Sequence, residues 1–151
     1  MTKAQPPEAR DRYRYFIDIT TRWMDNDLYG HVNNVTYYSY FDTAANRFLI
    51  EEGGLDIHQS PVIGIVVESK CSFSSPLAYP EDLEVGVRAD HIGGRSVRYG
   101  IGIFRKGQDT AAASGYFVHV FVDRKTMQSV PIPKRIRDAF ERIATSVEDP
   151  S

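Results

Sequence analysis

The sequence contains little that could cross-link the chain or carry it through a membrane. Of its 151 residues only Cys71 is a cysteine, which excludes an intrachain disulfide and fits a reducing compartment. No stretch approaches the ~18 to 20 consecutive apolar residues of a membrane span. The N-terminal segment also lacks the apolar core of a secretory signal. We therefore expect a cytoplasmic protein with no membrane span.

The chain also lacks a large excess of charge of either sign. The formal net charge is −2, so the overall basic field that attracts nucleic acid or an anionic membrane is absent, and we expect no nucleic-acid partner. Lysine is scarce, because 13 of the 18 basic residues are arginine. The planar guanidinium suits phosphate and carboxylate groups, although pairing with the 20 acidic residues on the surface is the simpler interpretation.

Several signatures of cofactor and metal chemistry are missing as well. The histidines His58, His91 and His119 do not share a metal-ligand spacing, so no metal site is expected. The Gly-x-Ser-x-Gly elbow of a serine hydrolase does not occur, and neither does a P-loop or dinucleotide-binding motif. We therefore expect no metal, no cofactor and no serine triad.

The composition and the order of elements predict one domain. Apolar residues make up 42% and charged residues 25% of the chain, as in globular proteins. Residues 1–11 are polar and contain Pro6-Pro7, which predicts a flexible N-terminal arm. Residues 12–147 contain no internal repeat and are predicted to form a single domain.

A strand, a loop and a helix are predicted next. Alternating residues between Tyr13 and Trp23 predict a strand whose odd-numbered positions share a face. After a loop, Asn33 or Asn34 can cap a helix that ends at Gly53-Gly54. Because most of this helix is large and apolar, it should be buried on nearly all sides.

Four long strands are predicted between this helix and residue 124. In the first of them the apolar positions expected on one face are Ile63, Ile65, Val67, Cys71 and Phe73. The last, about Thr110 to Asp123, is apolar on both faces, which indicates a central strand or one at a subunit contact. A short C-terminal helix follows, with its apolar face at Ile136, Phe140, Ile143 and Val147.

Together these elements predict an α+β fold. The turns between the later strands are tight, and strands joined in this way are antiparallel neighbours. One apolar helix against one antiparallel sheet is a stable two-layer arrangement. We expect a curved antiparallel β-sheet wrapped around one long central helix.

The residues that carry chemistry are concentrated in one loop. Residues 22–37 read RWMDNDLYGHVNNVTY and contain two carboxylates, one histidine and two asparagines at the entry to the helix. The first turn of a helix has free N–H groups and a partial positive charge that can hold an oxyanion. A carboxylate just upstream can act as base or nucleophile, and Gly30 allows a tight turn between the two.

The stretch DNDLYGHVNNVTYYSYFDTA resembles the signature of hotdog-fold acyl-CoA thioesterases, in particular the 4-hydroxybenzoyl-CoA thioesterase family. The order of elements over residues ~12 to 145 is similar to that family's order. The resemblance implies a hotdog fold and hydrolysis of acyl-CoA, or of an acyl carrier protein thioester, without a cofactor. The run from Gly30 to Asn34 is closer to long-chain acyl-CoA thioesterases and favours a fatty or medium acyl chain.

The resemblance also implies roles for individual residues. Asp27 would act as nucleophile or as general base on water, and the backbone N–H near Asn34 would polarise the thioester carbonyl. The family assembles as homodimers or homotetramers with the substrate between subunits. The turn from Gly93 to Ser96 is similar to a place where CoA phosphates bind, which implicates Arg95.

Other residues near the motif have weaker assignments. Asp25 is expected to be structural, His31 more often makes one structural hydrogen bond, and Glu68 either pairs with Lys70 on the surface or assists the site. The predicted catalytic group is Asp27, Asn34 and Gly30. The predicted substrate-binding group is Tyr29, His31, Val32, Asn33, Glu68, Arg95 and Ser96.

Two other functions remain open. A hotdog hydratase or dehydratase acting on enoyl thioesters needs an aspartate and a histidine in one pocket, and Asp25 or Asp27 with His31 could provide them. A non-catalytic binder of acyl thioesters would have the same fold and pocket without thiol release.

Overall fold

The computed structural model describes residues 7–145. Its elements, in chain order, are β1 (Tyr15–Thr20), α1 (Asn34–Glu51), β2 (Val62–Phe73), β3 (Asp82–Ile92), β4 (Ser96–Arg105), β5 (Ala113–Asp123) and α2 (Lys134–Arg142). Two single 3-10 turns, Arg10–Arg12 and Trp23–Asp25, flank β1. Neither of the two α-helices within this range is long and apolar enough to span a membrane.

The five strands form one antiparallel sheet in the order β1-β3-β4-β5-β2. The inner face of the sheet packs against α1, which confirms the predicted α+β hotdog fold. A tight turn joins β3 to β4, and a seven-residue connection, residues 106–112, joins β4 to β5; both pairs are antiparallel neighbours, as expected. Strand β2 instead lies at the far edge, where β5 is its only neighbour within the described chain.

Helix α1 begins as predicted, with Asn33 as its N-cap. The Asn33 Oδ1 atom accepts a hydrogen bond from the Val35 amide at 2.9 Å. The buried face consists of Tyr37, Tyr40, Phe41, Ala44, Ala45, Phe48 and Leu49. The expectation of burial on nearly all sides is wrong for the single chain, because the sheet covers one face only and Val35, Asp42 and Ile50 are exposed.

The first strand is shorter than predicted. It ends at Thr20, and Trp23, expected on the strand face shared by the odd-numbered positions, is 76% exposed in the following 3-10 turn. The turn forms because the Asp25 carboxylate accepts a hydrogen bond from the Arg22 amide at 2.9 Å. A capping interaction of this kind competes with strand pairing and ends the alternation.

Strand β2 changes faces in its middle, which corrects the predicted single apolar face. A β-bulge lies between Val66 and Glu68. One extra residue moves every later side chain to the opposite face of the sheet. Ile63 therefore points to the outer face, away from α1, whereas Phe73 points to the inner face against it.

The described end of the predicted flexible arm, residues 7–11, is bound to the sheet. The Arg10 guanidinium pairs with the Glu84 carboxylate at 2.7 Å. Just beyond it, the Tyr13 ring packs edge-on against Phe104 on the outer face. At the other end of the chain, the predicted helix position Val147 lies outside the described residues.

Candidate active site

A pocket of about 430 Å³ opens where α1 begins and β2 ends. Three segments form its walls: the loop before α1, the first turn of α1, and the end of β2 with the residues after it. Its lining residues are Asp27, Tyr29, His31, Val32, Asn34, Tyr37, Phe73, Ser74, Ser75 and Pro76. The loop before α1 has two parts, the anchored half (residues 22–26) and the open half (residues 27–32).

Asp25 is the centre of the anchored half and is 2% exposed. One carboxylate oxygen accepts hydrogen bonds from the Arg22 guanidinium at 3.0 and 3.2 Å, and the other accepts from the Tyr40 hydroxyl at 2.8 Å. The Asp25 carbonyl also accepts the Asn33 amide at 2.8 Å. Asp25 therefore fastens the loop to α1 through its carboxylate and to the helix cap through its carbonyl.

The environment of Asp25 favours the charged form. Burial alone would raise the pKa of Asp25, but the hydrogen bonds from Arg22 and Tyr40 outweigh it and hold the pKa below its ordinary value. The same contact and burial raise the pKa of the Tyr40 hydroxyl. Asp25 is thus an ionised group with its lone pairs in use, which is unsuited to take up a proton.

Asp27 starts the open half and has a different set of contacts. One carboxylate oxygen, Oδ1, accepts the Tyr29 amide at 2.8 Å, with the His31 amide more distant at 3.5 Å. The other oxygen makes no hydrogen bond to any residue from Pro7 to Thr145. The turn closes through Gly30, whose amide donates to the Asp27 carbonyl at 3.1 Å and whose φ is +82°. Glycine adopts that conformation without the strain of a side chain.

The first turn of α1 provides a hydrogen-bond donor on Asn34, which lines the same pocket as Asp27. The Val35 amide is taken by the Asn33 side chain, and the Thr36 amide donates to the Asn33 carbonyl at 2.9 Å. The Asn34 amide donates to no residue within the described range. It lies at the positive end of an 18-residue helix, where an anion is stabilised. The two residues that carry this free carboxylate oxygen and this free amide both line one pocket, which is a pairing that acyl transfer can use.

The structure brings together most of the predicted site residues. Asp27, Tyr29, His31, Val32 and Asn34 all line the pocket. Gly30 and Asn33 do not line it but build it, the first as the turn and the second as the helix cap.

Glu68, Arg95 and Ser96 lie away from the pocket of their own chain. Glu68 is on the outer face, where it accepts a hydrogen bond from the Tyr116 hydroxyl instead of pairing with Lys70. The Arg95 guanidinium donates to the Ser129 carbonyl at 2.6 Å.

The Gly93–Ser96 turn is at the opposite end of the sheet from the pocket. Strand β5 spans the distance, because Ala113 pairs with Phe73 at the pocket end and Val120 pairs with Ser96 at the other. Seven residues of strand separate these ends, which corresponds to about 24 Å.

Sequence reasoning missed the wall formed after β2. Ser74, Ser75 and Pro76 line the pocket, and the Leu77 carbonyl accepts the Val32 amide at 2.7 Å. The Asn26 side chain holds the same segment through the Tyr79 amide at 3.0 Å. The sequence signal was the proline that interrupts the strand pattern, but nothing local showed that this segment lies beside the helix.

Two other reactive residue types lie outside the pocket. His119 is buried next to the Tyr99 hydroxyl, at 3.1 Å, and burial lowers its pKa to about 4. Burial raises the pKa of the Cys71 thiol to about 12. No group of three metal-ligating side chains occurs between Pro7 and Thr145.

Comparison with known proteins agrees with this picture. The chain is similar to the PA5185 protein from Pseudomonas aeruginosa strain PAO1, with 50% identity, a TM-score of 0.92, and coverage of 95% of this chain and 100% of that one. The PA2801 protein from the same species is 28% identical over 82% of this chain and 95% of its own, with a TM-score of 0.76. The uncharacterized protein YsmA from Bacillus subtilis strain 168 is 21% identical over 60% of each chain.

A family assignment follows from a match to a family model. The profile described as Thioesterase-like superfamily matches residues 21–140, which include the loop, α1, all strands after it and most of α2. The match spans well over half of the chain and agrees with the hotdog fold. The chain therefore belongs to the thioesterase-like superfamily.

Proposed function

We propose that the protein hydrolyses acyl-CoA thioesters to free acid and CoA, with Asp27 and the Asn34 amide as its catalytic groups. One observation carries the proposal: Asp27, which has a carboxylate oxygen without a partner among residues 7–145, and Asn34, whose backbone N–H has no partner there either, line the same pocket. The family match supports thioester hydrolysis in general. The acyl-CoA substrate follows from the resemblance of the loop motif, and an acyl carrier protein thioester fits the same chemistry.

The reaction can proceed with Asp27 as general base. Asp27 takes a proton from water while the water oxygen attacks the thioester carbonyl carbon. The carbonyl oxygen becomes an oxyanion and is stabilised by the Asn34 amide and the positive end of α1. The intermediate collapses, the C–S bond breaks, and the proton on Asp27 passes to the CoA thiolate.

The alternative is that Asp27 attacks the carbonyl carbon directly. The C–S bond then breaks to give a mixed anhydride on Asp27 and CoA thiolate, and water hydrolyses the anhydride to restore the carboxylate. Both routes need the free oxygen of Asp27, whereas neither needs Asp25. Asp25 instead holds the turn that positions Asp27.

We further propose that a second copy completes the site. Among residues 7–145 no strand pairs with the second edge of β2, and Val66 and Val67 are 43% and 55% exposed beside the bulge. Antiparallel pairing of β2 with the same strand of a second copy would place the start of the partner strand beside Phe73. The Gly93–Ser96 turn of that copy would then lie at the pocket end, where Arg95 and Ser96 could reach CoA phosphates.

A hydratase remains a second candidate because Asp27 and His31 line the same pocket. The wild-type protein should be given saturated and enoyl acyl-CoAs while free thiol and loss of enoyl absorbance are recorded separately. We expect thiol release from saturated acyl-CoA. Enoyl hydration without thiol release would indicate the hydratase, and binding with neither signal would indicate a binder.

A further inference from the structure

An aromatic pair forms part of the pocket wall. Tyr37 on α1 and Phe73 on β2 meet edge to face, with ring centroids 4.8 Å apart and an interplanar angle of 84°. Tyr37 is 2% exposed, and its ring also packs against the ring of Tyr40, with the two centroids 6.3 Å apart. Both members of the pair line the pocket together with Asp27 and Asn34.

An acyl chain that extends from Asn34 along α1 would meet this pair. Tyr37 comes three residues after Asn34, about one helical turn or ~5 Å further along α1. Beyond the pair, the space between α1 and the sheet is filled by core, since Phe41 packs on Phe117 at 5.7 Å. A chain that leaves the thioester carbonyl and runs along the helix therefore meets aromatic rings after a few carbons.

We propose that Phe73 and Tyr37 limit the acyl group, so that the substrates are compact acyl thioesters, short-chain or single-ring, and extended fatty acyl chains are excluded. The proposal rests on the hydrolytic function proposed above. It departs from the fatty or medium chain that the loop motif favours, because that motif describes the catalytic turn and not the depth of the pocket. A single aromatic ring could also pack edge to face on this pair.

Phe73 is the better residue to change. It is 47% exposed on an edge strand, so truncating it removes little buried core, whereas Tyr37 belongs to the core of α1. Trp23 is a matched control, because it is an exposed aromatic side chain in the anchored half of the loop that packs on Tyr79 and does not line the pocket. Phe73→Leu serves as a milder variant that keeps an apolar side chain on the strand.

The experiment measures kcat/KM for acetyl-, butyryl-, hexanoyl-, benzoyl-, decanoyl- and palmitoyl-CoA. Wild type and Trp23→Ala should favour the first four. Phe73→Ala should raise decanoyl-CoA turnover relative to hexanoyl-CoA by about tenfold or more, as expected when space for methylenes is opened in a hydrophobic pocket. Phe73→Leu should shift the profile in the same direction by less.

A binding measurement separates this inference from the proposed hydrolysis. Asp27→Asn and Asp27→Asn/Phe73→Ala are titrated with hexanoyl- and decanoyl-CoA by calorimetry, so that chain-length selectivity is read without turnover. Tighter decanoyl-CoA binding by the double variant alone supports the aromatic limit even if wild type releases no thiol. A wild type that prefers palmitoyl-CoA, or a length profile unchanged by either Phe73 substitution, would overturn it.

Discussion

Each half of the loop before α1 contains an aspartate, and the two aspartates have opposite environments. In the anchored half, Asp25 is buried and both its oxygens accept hydrogen bonds from Arg22 and Tyr40. In the open half, Asp27 keeps one oxygen free of every described residue and faces the pocket. The comparison indicates that the Asp25 carboxylate fixes the turn. Asp27, two residues later, can therefore keep one oxygen free of hydrogen bonds to the described residues.

This division explains why the site can be both exposed and ordered. Except for the buried Val32, the open half is largely exposed, and Leu28 and Tyr29 are 102% and 86% exposed. Two backbone hydrogen bonds hold it in place. The Asp25 carbonyl accepts one from the Asn33 amide, and the Leu77 carbonyl accepts one from the Val32 amide. Catalytic groups on loops depend on such support from the scaffold.

The largest effect is expected from Asp27→Asn. The change keeps the volume and the turn but removes the base or nucleophile, and we expect kcat to fall by about 10²- to 10⁴-fold. Because the substituted side chain is not buried, the free energy of unfolding should change by less than about 0.5 kcal/mol. Steady-state thiol release and urea unfolding on the same preparation check both numbers.

Asp25→Asn should give the reverse pattern. The neutral amide weakens the charged hydrogen bonds from Arg22 and Tyr40, so we expect a loss of about 2 kcal/mol in unfolding free energy. The loss in kcat should be smaller than that of Asp27→Asn. If Asp25→Asn proved neutral in urea unfolding while abolishing thiol release, the distinction between the two halves would fail.

The dependence of stability on pH distinguishes the contribution of the buried His119 from that of Asp25 in the loop. His119 is neutral in the fold, with a pKa of about 4 against 6.5 when free, so the unfolded chain binds its proton first as pH falls. Stability should therefore drop between pH 6.5 and 4, by about 3 kcal/mol at the acid end. The depressed pKa of Asp25 acts only below its ordinary value of 3.8.

Two variants test which residue causes this drop in stability between pH 6.5 and 4. His119→Gln should flatten the dependence of unfolding free energy on pH between 6.5 and 4, whereas Asp25→Asn should leave it unchanged in that window. A slope that disappears in Asp25→Asn would place the acid sensitivity in the loop instead of the core.

The smallest effect is expected from Tyr40→Phe. It removes one hydrogen bond to the Asp25 carboxylate and keeps the ring against Tyr37, so we expect a loss of about 1 kcal/mol in unfolding free energy. The Arg22 contacts remain and should keep most of the activity. Thermal unfolding followed by circular dichroism, with thiol release as the second readout, would show whether the anchor depends on this hydroxyl.

The local parts of the site could be predicted from the sequence. Asp27, Gly30 and the Asn33 cap lie within seven consecutive positions, and short-range hydrogen bonds place them. The α+β fold followed from the order of one apolar helix and several alternating strands. Side-chain type and spacing are sufficient for features of this kind.

Features that depend on distant pairing could not be predicted. The bulge after Val66 reversed the faces of β2, and no local residue signals it. Phe73 became part of the site only because β2 pairs with β5 and thereby lies beside the start of α1. The exposed face of α1 was also missed, since apolar content does not show how far a sheet wraps.

The most direct test of the account is thiol release from hexanoyl-CoA by folded Asp27→Asn, measured beside wild type at the same concentration. We expect the wild type to release CoA steadily and the variant to lose nearly all of this activity while its unfolding curve superimposes on that of the wild type. A folded Asp27→Asn variant that turns over hexanoyl-CoA at the wild-type rate would contradict the assignment of Asp27.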